Sequence, residues 1–324
     1  MIFPWPFVTI GIFFVGMLMA VAFLTYVERK LIARLQRRHG PSVVGPWGLL
    51  QPLADAWKMI HKETIVPINA SKFWFFCAPV LAFVCALAPW AVIPWQDTWW
   101  ISSTSVDVLY LLVFGSLGTY SVMMAGWSSG SRYSLLGGVR ATAQMISYEL
   151  SLSLVYMTVV LTARSFRLID IVHAQETCWF IVPHAPLAII FLIASLAESN
   201  RTPFDIPESE AELVSGYNTE YSSMGFGLFM LSEYAHIITI SAIGSLLFLG
   251  GWLPLCTCLS FVPGWMWMIM KMSLIIFMFI WTRSTLPRYR YDQLMRIGWK
   301  NLLPASFAWF IITSCLLKWK EGGL

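Results

Sequence analysis

Charge is scarce in this sequence of 324 residues: charged residues make up 12% of the chain and hydrophobic residues 58%. An ordinary soluble domain has about 25% charged residues, so this low fraction excludes that class. Long, almost uncharged runs separated by short polar loops predict an all-α membrane protein. The short alternating apolar and polar segments of a membrane β-barrel do not recur.

Motifs for binding cofactors and metals are also missing. The sequence has no phosphate-binding loop and no glycine-rich dinucleotide fingerprint. His236 follows Glu233 by one helical turn, but two ligands are too few for a redox metal. We therefore expect no flavin, haem, iron–sulfur cluster or other metal site in this chain. The net charge of +4 is spread over loops, which argues against nucleic acid as a partner.

Cysteine is rare, and its spacing does not predict a disulfide framework or a metal site. The six cysteines, at positions 77, 85, 178, 256, 258 and 315, lie mostly within or beside apolar runs. We therefore expect them to be small buried hydrophobic residues.

The N-terminus lacks the basic segment of a signal peptide, so the uncharged residues 1–27 are predicted to be the first membrane span.

Long apolar runs are abundant. Eight of them approach or exceed the ~20 residues that cross a ~30 Å hydrocarbon core. They lie at about 3–27, 73–95, 107–127, 138–162, 178–197, 222–249, 264–283 and 301–318. The chain is therefore predicted to be one polytopic membrane domain, 1–324, with about eight transmembrane helices.

Lysine and arginine are distributed unequally between the two sides of these spans. Of the 21 basic residues, 16 lie on one side, mainly in the loops 28–72 and 284–300. The positive-inside tendency places this side in the cytoplasm or the mitochondrial matrix, and both termini on the opposite side. The acidic loop 198–220 is then also on the inside.

The first inside loop contains an amphipathic pattern. Its apolar residues recur at helical spacing, at Leu49, Leu53, Ala56, Trp57 and Ile60. This pattern predicts a helix that lies in the headgroup plane of the membrane. Two interpretations stay open: a plain surface anchor, or a roof over an opening through which an apolar ligand enters from the bilayer.

The loop 198–220 concentrates acidic residues. It holds six of the chain's 17 acids, with Arg201 as its one base: Glu198, Asp205, Glu208, Glu210, Glu212 and Glu220. Asp205 and Glu208 have the spacing of a capping box, which predicts a short helix that ends near Ser215. Capping does not account for the other acids. Carboxylates that crowd together raise one another's pKa, which suits proton exchange near neutral pH.

Two further glutamates, Glu149 and Glu233, lie inside predicted spans. An ionised carboxylate in hydrocarbon is costly unless it is protonated, paired or hydrated. A neutral glutamate hydrogen-bonded between helices is one interpretation. A hydrated path that continues into the acidic loop is the other.

The last inside loop carries three arginines, Arg288, Arg290 and Arg296. Either they pair with the acids of the loop 198–220 or with a docked subunit, or they form a solvated positive cluster.

Four segments carry a resemblance to a known family. They are ERKLIARLQRRHGPSVVGPWGLLQPLADAWKMIHKE (28–63), GVRATAQMISYELSL (138–152), LAESNRTPFDIPESEAELVSGYNTEYSSMGF (196–226) and RYRYDQLMRIGWKNLLP (288–304). They closely resemble subunit 1 of respiratory complex I, the proton-pumping NADH:ubiquinone oxidoreductase. The resemblance covers nearly the whole chain.

The resemblance implies that the chain forms the membrane part of a ubiquinone tunnel, with ubiquinone as the substrate and no redox centre of its own. The implied tunnel residues are Arg29, Arg34, Ala56, Trp57, Phe226, Met230 and Arg288. An acidic relay that couples quinone reduction to proton translocation is implied for Tyr148, Glu149, Glu198, Asp205, Glu208, Glu210, Glu212, Glu220 and Glu233, with Arg140 and Arg201 as counter-charges.

The implied partners are the other complex I subunits: peripheral quinone-site subunits on the inside face, small membrane subunits and antiporter-like subunits. The implied location is the mitochondrial inner membrane, with a bacterial plasma membrane as the alternative. Two other functions stay open. One is the related component of a membrane-bound hydrogenase. The other is a stand-alone proton or cation transporter, although the halves of the sequence show no convincing internal repeat.

Overall fold

The computed structural model describes residues 6–102, 104–205, 216–255 and 261–321, and these residues form helices joined by turns and loops. The helices are α1 Pro6–Leu35, α2 Gln51–His61, α3 Lys72–Leu87, α4 Asp107–Ser128, α5 Arg132–Ala163, α6 Leu168–His173, α7 Ala185–Glu198, α8 Ser223–Phe248, α9 Gly264–Thr285, α10 Tyr291–Arg296 and α11 Leu303–Glu321. In these ranges the only β pairing is an isolated bridge between Gln96 and Trp99. The predicted short helix of the acidic loop falls on residues 206–215, outside the described residues.

Among the residues that the structure describes, seven helical stretches are long and apolar enough to cross a membrane. They are Ile10–Leu35, Lys72–Ala91, Asp107–Ser128, Arg132–Ala163, Ser223–Phe248, Gly264–Thr285 and Tyr291–Lys320. This confirms the prediction of an all-α, multi-pass membrane protein.

The predicted span 178–197 differs from the other spans. Its helix, α7, has only 14 residues. It begins late because Pro183 disfavours helical backbone in the residue before it, and Pro186 occupies the first turn. A helix of this length rises only ~21 Å, less than the hydrocarbon core.

Two predicted loops are more helical than their charge suggested. Helix α1 continues to Leu35, because a helical backbone satisfies its own hydrogen bonds whether the side chains are apolar or charged. The predicted loop 284–300 contains α10 and most of a π-helical turn, Ile297–Leu302, which leads into α11.

The cysteines differ from the expectation that all of them are buried. Cys85 is buried and Cys77 is partly buried, but Cys178 and Cys315 are exposed. Positions 256 and 258 are not among the described residues.

Helix α8 is at the centre of the bundle and packs against α1, α2, α3, α6, α7 and α9. Its outer half, from Ile237 onwards, is almost wholly buried. The Trp90 indole donates a hydrogen bond to the Thr239 hydroxyl of α8, with 2.8 Å between the two atoms. Because α8 contacts so many helices, a polar residue on its inner half comes close to several of them.

Helices α4 and α5 make direct backbone contact. A Cβ atom on Gly126 would stand 2.8 Å from the carbonyl oxygen of Ser134 and 3.0 Å from the Cα atom of Gly138. Small residues at such crossings let membrane helices approach closely. This contact fixes α5, which carries Glu149, against α4.

The predicted amphipathic helix is present as α2 and has no buried residue. Its apolar side chains, including Leu53 and Trp57, are exposed. Its other side is fastened to α8, because the Ser223 hydroxyl is 3.1 Å from the Met59 carbonyl oxygen and 2.6 Å from that of Lys62. The location of α2 in the headgroup plane stays a prediction.

Candidate functional site

A cavity of ≈ 90 Å³ lies between α3, α4, α5, α7 and α8, and its lining is mainly apolar with a set of polar groups among it. The polar lining residues are Ser121, Glu149, Tyr156, Glu198, Ser199, Asn200, Tyr217, Ser232, Glu233, His236 and Thr239. A buried water molecule requires about 10–15 Å³ of such space and two to four polar partners. The cavity therefore has the room and the polar groups to hold several water molecules.

Glu198 is the last residue of α7 and is buried inside the bundle. Its side chain is 9% exposed, and its Oε1 atom stands 3.5 Å from the Nε2 atom of His236 on α8. The C-terminal end of α7 thus brings a carboxylate and an imidazole together inside the protein.

Glu149 extends from α5 into the same cavity, where its carboxylate accepts a hydrogen bond from the Ser116 hydroxyl of α4. The neighbouring Tyr148 points elsewhere. Tyr148 is fully buried, and its hydroxyl donates to the Leu294 carbonyl oxygen at 2.9 Å. Tyr148 is therefore a core residue that joins α5 to α10, and it does not line the cavity.

Glu233 of α8 has partners on two sides. Its Oε1 atom accepts a hydrogen bond from the Tyr217 hydroxyl at 3.0 Å, and its Oε2 atom lies 3.8 Å from a guanidinium nitrogen of Arg201. The Arg201 guanidinium also lies over the ring of Tyr234, 4.3 Å from the ring centroid. A buried cation thus stands beside a buried carboxylate, which offsets the cost of burying either charge alone.

A smaller cavity of ≈ 20 Å³ lies on the other side of Arg201, which lines it together with Glu28 and Arg283. The Glu28 carboxylate of α1 forms an ion pair with the Arg283 guanidinium of α9. Arg201 therefore connects the surroundings of Glu233 with those of Glu28. Glu28 and Arg283 were not predicted as site residues from the sequence. The sequence did contain a hint of their role, because each of these two charged residues stands at the end of a long apolar run.

Stacked aromatic rings hold the chain where it returns from the acidic loop to α8. The Tyr221 ring stacks on Phe75 with 4.1 Å between centroids and meets Phe229 edge-on at 5.0 Å. Burial raises the pKa of Tyr221 to about 12, and its hydrogen bond with Ser128 partly opposes this rise. Tyr221 therefore stays neutral at physiological pH and helps to hold Tyr217 beside Glu233.

Of the other predicted relay residues, Asp205, Arg140 and Glu220 are described by the structure and line neither cavity. Asp205 is buried and pairs with Arg288 at 3.1 Å. Arg140 lies over the ring of Tyr291, 5.5 Å from its centroid, and Glu220 is partly buried in the turn before α8. Glu208, Glu210 and Glu212 fall outside the described residues.

The predicted tunnel residues do not line either cavity. Most of them come from α1, α2 and α8, which pack on one another. Arg29 pairs with Asp55 of α2 at 2.7 Å, and the ring of Trp57 lies 4.3 Å from that of His61. Arg34 and Ala56 are exposed, Met230 is partly buried, and Phe226 packs against the aromatic cluster around Tyr221.

Within the described ranges, no group of three or more histidine, cysteine or acidic side chains is placed to hold a metal ion. The fold and the cavities define a multi-pass helical membrane protein with carboxylates, an imidazole and a buried guanidinium inside its bundle.

Residues 8–314 match the family described as NADH dehydrogenase, and the chain belongs to this family. It is 54% identical over 305 residues to an NADH-quinone oxidoreductase subunit of Rhodospirillum centenum, an alignment that covers 94% of this chain and 91% of that protein. It is 53% identical over 302 residues to the equivalent protein of Paramagnetospirillum magneticum, with 93% and 89% covered. It is 48% identical over 312 residues to that of Rickettsia felis, with 95% and 92% covered.

Proposed function

We propose that this chain is the membrane subunit of a proton-translocating NADH–quinone oxidoreductase in which Glu149, Glu198 and Glu233 form an acidic relay. The observation that carries the proposal is their convergence: three carboxylates from three helices line one cavity inside the bundle. The family, and the near-complete coverage of relatives named as NADH-quinone oxidoreductase subunits, support the larger assignment.

The relay follows from the electrostatics of the cavity. Carboxylates that share a small cavity favour states in which some are protonated, because like charges repel strongly at low dielectric. A charge that enters or leaves on one side therefore changes the protonation of the others. Arg201 extends this coupling from Glu233 towards the Glu28–Arg283 pair. We include Tyr148, Asp205, Glu208, Glu210, Glu212, Glu220 and the counter-charge Arg140 as outer members of the relay.

The second part of the proposal is a ubiquinone tunnel between α1, α2 and α8. The exposed apolar face of α2 and the pairing of Arg29 with Asp55 support an entrance from the bilayer at this junction. The residues proposed to line it are Arg29, Arg34, Ala56, Trp57, Phe226, Met230 and Arg288. Ubiquinone would be the substrate, and the flavin and iron–sulfur centres would belong to other subunits.

The proposed partners are the peripheral quinone-site subunits on the inside face, and small and antiporter-like subunits within the membrane. The whole chain, 1–324, would act as one polytopic domain that presents the loops 28–72, 198–220 and 284–300 to the inside. The membrane would be a mitochondrial inner membrane or a bacterial plasma membrane. The bacterial sources of the relatives named above favour the second.

The test is to replace Glu149, Glu198 and Glu233 separately by glutamine in the assembled enzyme. We expect quinone-dependent NADH oxidation and proton pumping to fall together while assembly is retained, since glutamine keeps the shape but cannot carry a proton. Glu63→Gln, a change at an exposed site that lines neither cavity, is the matched control. Unchanged pumping in all three variants would exclude the relay. Proton transport by the purified chain alone would favour a transporter instead.

A further inference from the structure

We propose that His236 is a proton-transfer residue that carries protons between Glu198 and Glu233. The proposal rests on the relay described above and adds to it a group whose chemistry differs from that of the carboxylates. His236 lies on α8 and lines the main cavity together with both glutamates.

One ring nitrogen of His236 faces Glu198. The Nε2 atom is shielded from solvent and has no hydrogen-bond partner among the residues that the structure describes. It stands 3.5 Å from the Oε1 atom of Glu198, slightly too far for a normal hydrogen bond. A histidine that served only packing would be expected to have its buried nitrogen satisfied. This nitrogen instead stands one small movement away from a direct hydrogen bond with a carboxylate.

Glu233 lies on the same side of α8 as His236. Residues three apart on a helix have Cβ atoms about 5–6 Å apart. Both side chains line the ≈ 90 Å³ cavity, which has room for water. His236 therefore lies 3.5 Å from the carboxylate of Glu198 and one helical turn from Glu233, in the same cavity as both.

The imidazole suits this position because one of its nitrogens can accept a proton while the other donates one. In one direction, protonated Glu198 gives its proton to Nε2 of a neutral imidazole that carries its hydrogen on Nδ1. The imidazolium releases the Nδ1 proton to water, which passes a proton to the Glu233 carboxylate. Glu198 is then ionised and Glu233 neutral. Exchange of the ring hydrogen through cavity water restores the starting tautomer.

The surroundings supply the other groups that influence this transfer. The titratable residues that line the cavity with His236 are Cys85, Glu149, Tyr156, Glu198, Tyr217 and Glu233. A guanidinium nitrogen of Arg201 lies 3.8 Å from the Glu233 carboxylate. The transfer therefore connects one carboxylate that faces an imidazole with another that has a guanidinium beside it.

The experiment compares His236→Gln and His236→Asn with the parent in the assembled enzyme reconstituted into vesicles. We expect quinone-dependent proton pumping to fall about tenfold, less than the full effect of losing an acid–base group because cavity water still bridges the gap. The pH profile of pumping should also change shape, since one titrating group is removed. His39→Gln, at an exposed position far along the chain from the cavity, is the control and should match the parent.

A second variant separates proton transfer from packing. In His236→Ala the lost side chain leaves space in the cavity, and added imidazole should restore pumping, whereas added toluene of similar size should not. Equal effects of the two compounds would overturn the proposal. An unchanged pumping rate and pH profile in His236→Gln would also overturn it. If Glu149→Gln, Glu198→Gln or Glu233→Gln still lowers pumping in that case, the relay itself stands, and if none of the three does, both proposals fail.

Discussion

Arg288 donates a hydrogen bond to Asp205, with 3.1 Å between the guanidinium nitrogen and the carboxylate oxygen. Neighbouring residues strengthen this link between the acidic loop and the segment that follows α9. The rings of Phe204 and Tyr289 stack with 5.6 Å between centroids, and the Tyr289 backbone N–H donates to the Pro203 carbonyl oxygen at 3.1 Å. The acidic loop and the segment before α10 are thus held together by an ion pair, a ring stack and a backbone hydrogen bond.

We expect Arg288→Ala to lower the free energy of unfolding of the purified assembly by about 1–2 kcal/mol. Asp205 is buried, so its carboxylate loses a charged donor, but Arg288 is half exposed and solvent screens part of the loss. Thermal unfolding of single and double variants checks this. The double variant Asp205→Ala/Arg288→Ala should cost less than the sum of the two single changes, and strict additivity would contradict the coupling.

The Glu28–Arg283 pair should respond differently when one partner is removed and when both are replaced. Arg283→Met leaves the buried Glu28 carboxylate without its cation, and such losses typically cost about 3–5 kcal/mol. The double change Glu28→Met/Arg283→Met removes both charges and should recover most of that stability. If Glu28 contributes to the relay, the double variant should stay poor at proton pumping. A double variant as unstable as the single one would contradict this account.

Gly137 is expected to tolerate no side chain. A Cβ atom there would stand 2.5 Å from the Cα atom of Gly216, in the segment that positions Tyr217 beside Glu233. Gly137→Ala should therefore destabilise the assembly by about 1–3 kcal/mol, as overpacking usually does, and lower pumping. Gly16→Ala is the matched control, because nothing lies within 4 Å of its added methyl group. Comparable stability of the two variants would contradict the close packing.

His173 should make stability depend on pH at the opposite end of the bundle from the acidic loop. Its Nδ1 atom lies 2.8 Å from Glu176 and its Nε2 atom 3.0 Å from Asp97. Hydrogen bonding to Glu176, and secondarily the hydrogen bond and charge of Asp97, raise the pKa of His173, while burial opposes the rise.

Because that pKa is raised in the folded state, the contribution is fully present below the unfolded value of about 6.5. It is lost as the pH rises through the folded value. We expect the midpoint of thermal unfolding to fall more between about pH 6 and pH 8 in the parent than in His173→Gln. The same pH dependence in both proteins would contradict a stabilising role for the charged imidazole.

The all-α membrane fold and the three carboxylates of the main cavity could be predicted from the sequence, because both follow from local patterns of apolar and charged residues. Glu149 and Glu233 stand out as charges in apolar runs, and Glu198 ends such a run. Sequence could not reveal that Glu28 meets Arg283, since that contact depends on how α1 packs against α9. Tyr148 was grouped with Glu149, yet neighbouring residues on a helix point about 100° apart, and the structure places only Glu149 in the cavity.

The shortness of α7 also bears on voltage. Its 14 residues span only part of the hydrocarbon thickness, and Glu198 at its inner end lies deep in the bundle. A membrane potential acts on any charge that moves through this layer, with about 2.3 kcal/mol per 100 mV for one elementary charge that crosses the whole of it. We therefore expect the proton occupancy of the enclosed Glu198 to depend on the energisation of the membrane.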